Sequence, residues 1–247
     1  MRIATRGRTP LLGVVAALLV AGLALAGCGG GDGGGNGTTT NGTRSDEDQA
    51  RFPRESSVGY GGPAPPIAPR LRTAAKAAGC TVRGFPFEPV EIQSDGTYHK
   101  EGDIQYKVSL PPTSGLHNPI WADWGVYDTP LPFKYQVHNL EHGGVIIHLG
   151  SQLTAGARDA VVGLWRESPP FLIVTPETFA QFPPKAVVVT SWQRWMVCNP
   201  YTPKALQAIR VYRDVYRGTG PEGAGALNSG ASADDLPKPA IPDEGAG

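Results

Sequence analysis

The chain has 247 residues and a mass of 26.0 kDa, with 22 basic against 22 acidic residues and 40% hydrophobic content. Of its 33 glycines, eleven crowd into residues 28–62 and eleven are spread over residues 67–217, so the middle of the chain has an ordinary globular composition and enough length for one domain with a core. These figures exclude a collagen-like chain, a coiled coil and a disulfide-dense miniprotein, and a net charge of zero speaks against nucleic acid as a partner, which would call for a basic face.

Residues 1–27 read as a lipoprotein signal peptide. Arg2, Arg6 and Arg8 precede an uncharged run from Thr9 to Gly27 rich in Leu, Val and Ala, slightly short for a spanning helix. Leu25-Ala26-Gly27-Cys28 then resembles a bacterial lipobox, in which Cys28 is lipidated and becomes the new N-terminus; the competing reading is an uncleaved anchor. Both place the remainder of the chain outside the cytoplasm at a membrane surface. Beyond Gly27 the chain carries 19 basic and 22 acidic residues, so no polybasic patch assists adhesion. Residues 28–66 form a glycine-rich tether, unable to fold by burial.

The globular part is expected over residues 67–222. Pro69 opens a short Ala-rich helix, Arg70 to Ala78, and Gly79 stops it. Ile104 to Leu110 alternates apolar and polar residues and reads as a strand with one buried face. Pro111 to Pro132, full of Pro, Gly, Trp and Tyr, reads as a long ordered loop. Val145-Ile146-Ile147 is a buried strand fragment. Thr154 or Ser151 caps a helix in which Ala157, Val161, Leu164 and Trp165 share a face. Phe171 to Val174 and Ala186 to Val197 read as two further strands. Thr202-Pro203 opens a last helix with a stripe of Leu206, Ile209, Tyr212 and Tyr216. Beyond Arg217 periodicity is lost, and residues 223–247 are expected to be a disordered tail. The fold class is therefore α+β: a single strand- and loop-rich domain with two or three helices, its many prolines disfavouring a bundle.

Two cysteines remain beside Cys28. In an oxidising compartment Cys80 and Cys198 suggest one disulfide; two buried thiols are the alternative.

All five histidines lie between positions 99 and 148: His99, His117, His138, His142 and His148. His138-Asn139-Leu140-Glu141-His142 sets two imidazoles four residues apart. On a helical turn they share a face and can hold one divalent ion; in an extended segment they would stand about 13 Å apart, too far for that. The string also has the inverted zinc-protease order, with Glu141 in the general-base position. Gly143-Gly144 follows at once, so the motif is expected on one short turn at most, whereas the known inverted motif lies inside a long helix. Pro111-Pro112-Thr113-Ser114-Gly115-Leu116-His117 is a restricted loop able to deliver a third imidazole, with Trp121, Trp124 and Tyr127 beyond it as a wall against water. The bland alternative is that each histidine hydrogen-bonds inside a polar loop.

Gly79-Cys80-Thr81-Val82, Pro111-Pro112-Thr113-Ser114-Gly115-x-His117, Trp121-Ala122-x-x-Gly125-x-Tyr127 and Val137-His138-x-Leu140-Glu141-His142-Gly143 together resemble the bacterial family known as domain of unknown function 3105. The resemblance runs from about Leu71 to Glu222 and includes Gly220-Pro221-Glu222 after the last helix. It implies a single extracytoplasmic domain, often membrane-tethered, without an established activity. The family's motif histidines fall on His99, His117, His138 and His142, and His148 is not carried over. Leu116 stands where the family usually has proline.

Three functions remain in view. The first is a membrane-tethered protein binding zinc or copper(II) through His99, His117, His138 and His142, with Glu141 beside them. The second is a metal-dependent hydrolase with Glu141 as general base, which would need a further carboxylate; Asp123, Asp128 and Glu222 are the possibilities. The third is a non-catalytic envelope interaction protein of unspecified partner. Met196 belongs to the core. No nucleotide-binding loop and no serine or cysteine nucleophile signature is present.

Overall fold

Pro69 and Gly79 bracket the first helix, as their stereochemistry requires. The computed structural model describes residues 66–85, 98–106, 109–222 and 236–243, all within the unit Thr40–Gly247. In it α1 spans Pro69–Ala78, with proline in the first turn and Gly79 closing the helix at φ 71°, a left-handed value that costs glycine nothing. The signal segment, Cys28, the tether as far as residue 65, and residues 223–235 and 244–247 lie outside the described residues.

The remaining elements are β1 (Thr81–Gly84), β2 (Gly125–Val126), α2 (Phe133–Glu141), β3 (Val145–Leu149), α3 (Ala155–Glu167), β4 (Leu172–Pro176), β5 (Val187–Ser191), β6 (Arg194–Cys198), α4 (Ala205–Tyr216) and β7 (Ile241–Pro242). The seven strands make one mixed sheet in the order β1-β6-β5-β3-β4-β2-β7. β4 runs parallel to its neighbours β3 and β2, and the other pairs are antiparallel. The class is α+β, as expected, with four helices among the described residues rather than two or three.

Both faces of the sheet are covered, which is why β3, β4 and β5 are apolar with little alternation. Val145, Ile147, Val187, Val189 and Met196 pack against α1, α3 and α4, where Leu71, Leu164, Trp165, Ile209 and Tyr212 meet them. On the opposite face Ile146, Ile173 and Trp192 pack with Val137 and Leu140 of α2 and with Trp124, Tyr127 and Leu131 of the long loop. That second layer is the one that carries the functional candidates. Thr154 caps α3, its hydroxyl accepting from the Ala157 N–H at 3.2 Å.

Several elements differ from the sequence reading. Ile104–Tyr106 is not a strand: its residues alternate between half-buried and exposed, but no neighbouring strand pairs with them among the described residues. Ala186–Val197 is not one strand but the hairpin β5–β6, reversed at Trp192-Gln193. Gln193 adopts φ 57°, and no Gly, Asn or Pro marks the turn. Its position is held from outside, the Gln193 N–H donating to Thr113 O at 2.8 Å and the side-chain amide to Phe85 O at 3.0 Å. The HisxxGluHis segment is the end of a nine-residue helix, α2, not an isolated turn. Within the segment expected to be a tail, Leu236 is buried and β7 adds an edge strand beside β2; two residues are too few to show a period.

Cys80 and Cys198 form the disulfide, with Cα atoms 4.3 Å apart and 118 residues of separation. It sits where the β1–β6 ladder begins, at Thr81 opposite Val197. Closing a loop of this length restricts the unfolded chain, worth about 5 kcal/mol on the chain-entropy model. Replacing both cysteines by alanine in the full chain is expected to lower the unfolding free energy by up to about that amount, measured by urea denaturation, with the far-UV circular dichroism spectrum unchanged.

Candidate metal centre

Four stretches of chain converge on the open side of the second layer. His99 and His117 come from two loop segments tied by an isolated parallel bridge: the His117 N–H donates to Tyr98 O at 3.0 Å and the Lys100 N–H to His117 O at 2.7 Å. This pairing sets the two rings edge to face at 4.9 Å. α2 supplies His138 and Glu141, and His142 follows as its C-cap, so that the i, i+3 and i+4 spacing brings all three to one side.

Two backbone carbonyls decide the chemistry. His117 Nδ1 lies 2.8 Å from Gly115 O, and His138 Nδ1 lies 2.6 Å from Asn118 O. A carbonyl only accepts, so each Nδ1 carries a proton, and in the neutral ring the lone pair is then at Nε2. Those lone pairs face other acceptors. His117 Nε2 is 2.9 Å from Glu141 Oε2, with His99 Nε2 at 3.6 Å and His138 Nε2 at 3.9 Å from the same oxygen. Ligand atoms of His99, His117, His138 and Glu141 all fall within 4.8 Å of one another. A tetrahedral zinc shell with bonds of about 2.0–2.1 Å separates its ligands by about 3.4 Å, inside the range found here.

Burial holds His138 and His142 in the neutral form and keeps most of the set away from water. His117 is fully buried and Glu141 is 1% exposed, while His99 at 29% faces the opening. Burial pushes the His138 imidazole down to about 2, with His142 and then His117 adding to the effect. Burial also lowers His142, against the opposing pull of Glu222 and Glu141. A neutral imidazole is the form that binds a metal.

The chain belongs to a known family. The model of the family described as "Protein of unknown function (DUF3105)" matches residues 99–227, just over half of the sequence. Membership in DUF3105 is thereby shown. The match takes in all four motif histidines and begins after Gly79-Cys80-Thr81-Val82. Neither the curated proteins nor the solved structures contain a significant match.

In this DUF3105 chain the fourth motif histidine stands apart from the other three. His142 belongs to a second group, Glu141, His142 and Glu222, whose ligand atoms also lie within 4.8 Å of one another. Its Nε2 is 2.9 Å from His138 Nε2 and 3.5 Å from Glu222 Oε2. Glu222 arrives through a glycine clasp. Gly218 N–H donates to Gly143 O at 2.7 Å and Glu222 N–H to Glu141 O at 3.2 Å. Gly143 takes φ 78°, and a Cβ there would stand 2.7 Å from Gly218 Cα; a Cβ on Gly220 would run into the Glu141 carbonyl oxygen. Two backbones can approach so closely only without side chains.

Of the three carboxylates considered from sequence, Glu222 alone joins the histidines. Asp128 is exposed, and Asp123 pairs with Lys238 at 3.4 Å. Trp121 does wall the cluster, its ring 5.0 Å from His138 and 4.6 Å from His142. Trp124 and Tyr127 instead serve the core, Trp124 against Phe171 and the Tyr127 hydroxyl donating to Asp123 O at 2.6 Å. His148 is a satisfied core histidine, 2.8 Å from Glu177 Oε1 and 2.9 Å from Thr190 Oγ1. The carbonyls of Gly115 and Asn118, which set the tautomers, leave no mark in the sequence.

A histidine held neutral in the fold but free to protonate in the unfolded chain makes the protein less stable as pH is lowered. Between the ordinary value of 6.5 and about 2 the unfolded state binds the extra proton, so unfolding free energy rises with pH through this window. The metal-free chain is expected to lose stability progressively below about pH 6.5, and His138→Gln to flatten that dependence, as measured by urea denaturation across pH.

Proposed function

We propose that this protein holds a divalent cation, zinc or copper(II), through His99, His117, His138 and Glu141. The observation that carries the reading is the convergence of imidazole Nε2 lone pairs on a buried carboxylate oxygen, with the Nδ1 protons of His117 and His138 committed to carbonyls. Acceptors turned toward one another repel unless a proton or a metal stands between them, and a dication satisfies all of them at once. Imidazole and carboxylate donors suit zinc and copper(II), and both globular-domain cysteines are spent in the disulfide, which argues against a thiolate site.

The disulfide fits an oxidising compartment outside the cytoplasm. Among the described residues no helix is long and apolar enough to cross a membrane. We infer that lipid on Cys28 provides the tether.

Within this reading Glu141 is a ligand. A general base must face a metal-bound water, whereas this carboxylate oxygen lies among the imidazole nitrogens, 2.9 Å from His117. The two roles separate experimentally. With Glu141 as ligand, Glu141→Gln weakens binding of zinc; with Glu141 as base, the ion stays and turnover is lost.

Two measurements test the proposal. The untagged full chain, equilibrated with zinc or copper(II) and freed of excess, is expected to carry bound metal by elemental analysis, and a His117→Ala, His138→Ala double variant to carry none at the inner centre. Wild-type chain that retains no metal would remove the reading. Separately, Cys28→Ser is expected to shift the protein from the membrane pellet to the soluble fraction, as followed by fractionation.

A further inference from the structure

We propose that Glu141 is shared between two cations, and that His142 and Glu222 complete an outer seat beside the inner one. This proposal rests on the inner centre argued above and extends it to a second ion.

The donors divide into two sets that meet at one carboxylate. His99, His117, His138 and Glu141 form the first, Glu141, His142 and Glu222 the second. A carboxylate has two oxygens and can bridge two ions, and carboxylate-bridged pairs of ions stand about 3.5–4 Å apart. The stacking of His138 on His142, with ring centroids 4.8 Å apart and planes inclined by 16°, matches neighbouring ligands serving adjacent ions. His142 Nδ1 is buried without a hydrogen-bond partner, so in the metal-free chain the ring proton sits on Nε2 and is donated to His138 Nε2 at 2.9 Å; an ion at the outer seat takes the place of that proton.

Glu222 is positioned by construction. The clasp of Gly218, Gly220 and Gly143 brings the chain after α4 against the end of α2 at a distance that no side chain permits, and the backbone bond from Glu222 to Glu141 fixes the register. An incidental surface ion pair would need none of this.

The two seats differ in charge and access. The inner seat combines three imidazoles with one carboxylate and is almost closed to solvent. The outer seat has two carboxylates and one imidazole, and its Glu222 side chain is 34% exposed. Three protein donors leave coordination positions for water or a small anion, so the outer ion exchanges more readily than the inner one.

Titration of the untagged full chain with zinc alone, followed by calorimetry and elemental analysis, decides the matter. The expected result is two ions per wild-type chain taken up in two steps, with the second weaker and quenching or shifting Trp121 emission. Glu222→Gln is expected to abolish the second step and keep the first; because Glu222 is partly exposed, its near-UV circular dichroism should stay that of wild type. His142→Asn serves as an independent variant with the same expected loss. Saturation of the wild-type chain at one ion, or two ions retained by Glu222→Gln, would overturn the outer seat while leaving the inner centre standing. No uptake at all would overturn both.

Discussion

Two hydrogen bonds to backbone carbonyls govern what this domain can do. By holding the Nδ1 protons of His117 and His138, Gly115 O and Asn118 O turn both Nε2 lone pairs inward, onto a buried carboxylate. Without those carbonyls each ring could take its other tautomer and donate to Glu141, and the cluster would be an ordinary polar network. With them the neutral rings turn acceptors toward one another, and burial discourages protonation of His138.

The fold exists around this cluster in a definite way. A sheet covered on both faces dedicates one side to a helical core built on α1, α3 and α4, and the other to α2 and the long proline- and aromatic-rich loop. α2 stands on Val137 and Leu140, which leaves His138, Glu141 and His142 to converge with the loop histidines. The loop is ordered because its own aromatic residues are buried: Trp124 and Tyr127 are 3% exposed and pack beneath the site rather than lining it. Rigidity of the histidines and Glu141 is thus derived from the apolar layer underneath them.

Much of this was legible in the amino-acid pattern. The helix from Pro69 to Gly79, the buried run at Val145, the Thr154 cap and the Tyr212 stripe follow from local stereochemistry and period, and the histidine spacing pointed to one shared site. The hairpin at Trp192-Gln193 was not legible, because tertiary hydrogen bonds from Gln193 to the Thr113 and Phe85 carbonyls, and not turn residues, hold it in place. Ile104 to Tyr106 shows the converse, an alternating pattern without a neighbouring strand to pair with among the described residues. The division of the histidines into three plus one, and the singling out of Glu222 over Asp123 and Asp128, depend on how distant segments meet. A spacing of four residues says that His138 and His142 are neighbours; it does not say that their nitrogens serve different groups.

The glycine clasp also sets an order of events. Glu222 lies 81 residues beyond Glu141 in the chain, and it is held at the cluster by the segment after α4, where Gly218 and Gly220 meet the end of α2. A nascent chain that has emerged as far as His142 owns every imidazole of the cluster but lacks the segment that closes over it. Completion of the pocket therefore belongs to the finished polypeptide, and ions met earlier along its path encounter a partial and more open set of donors.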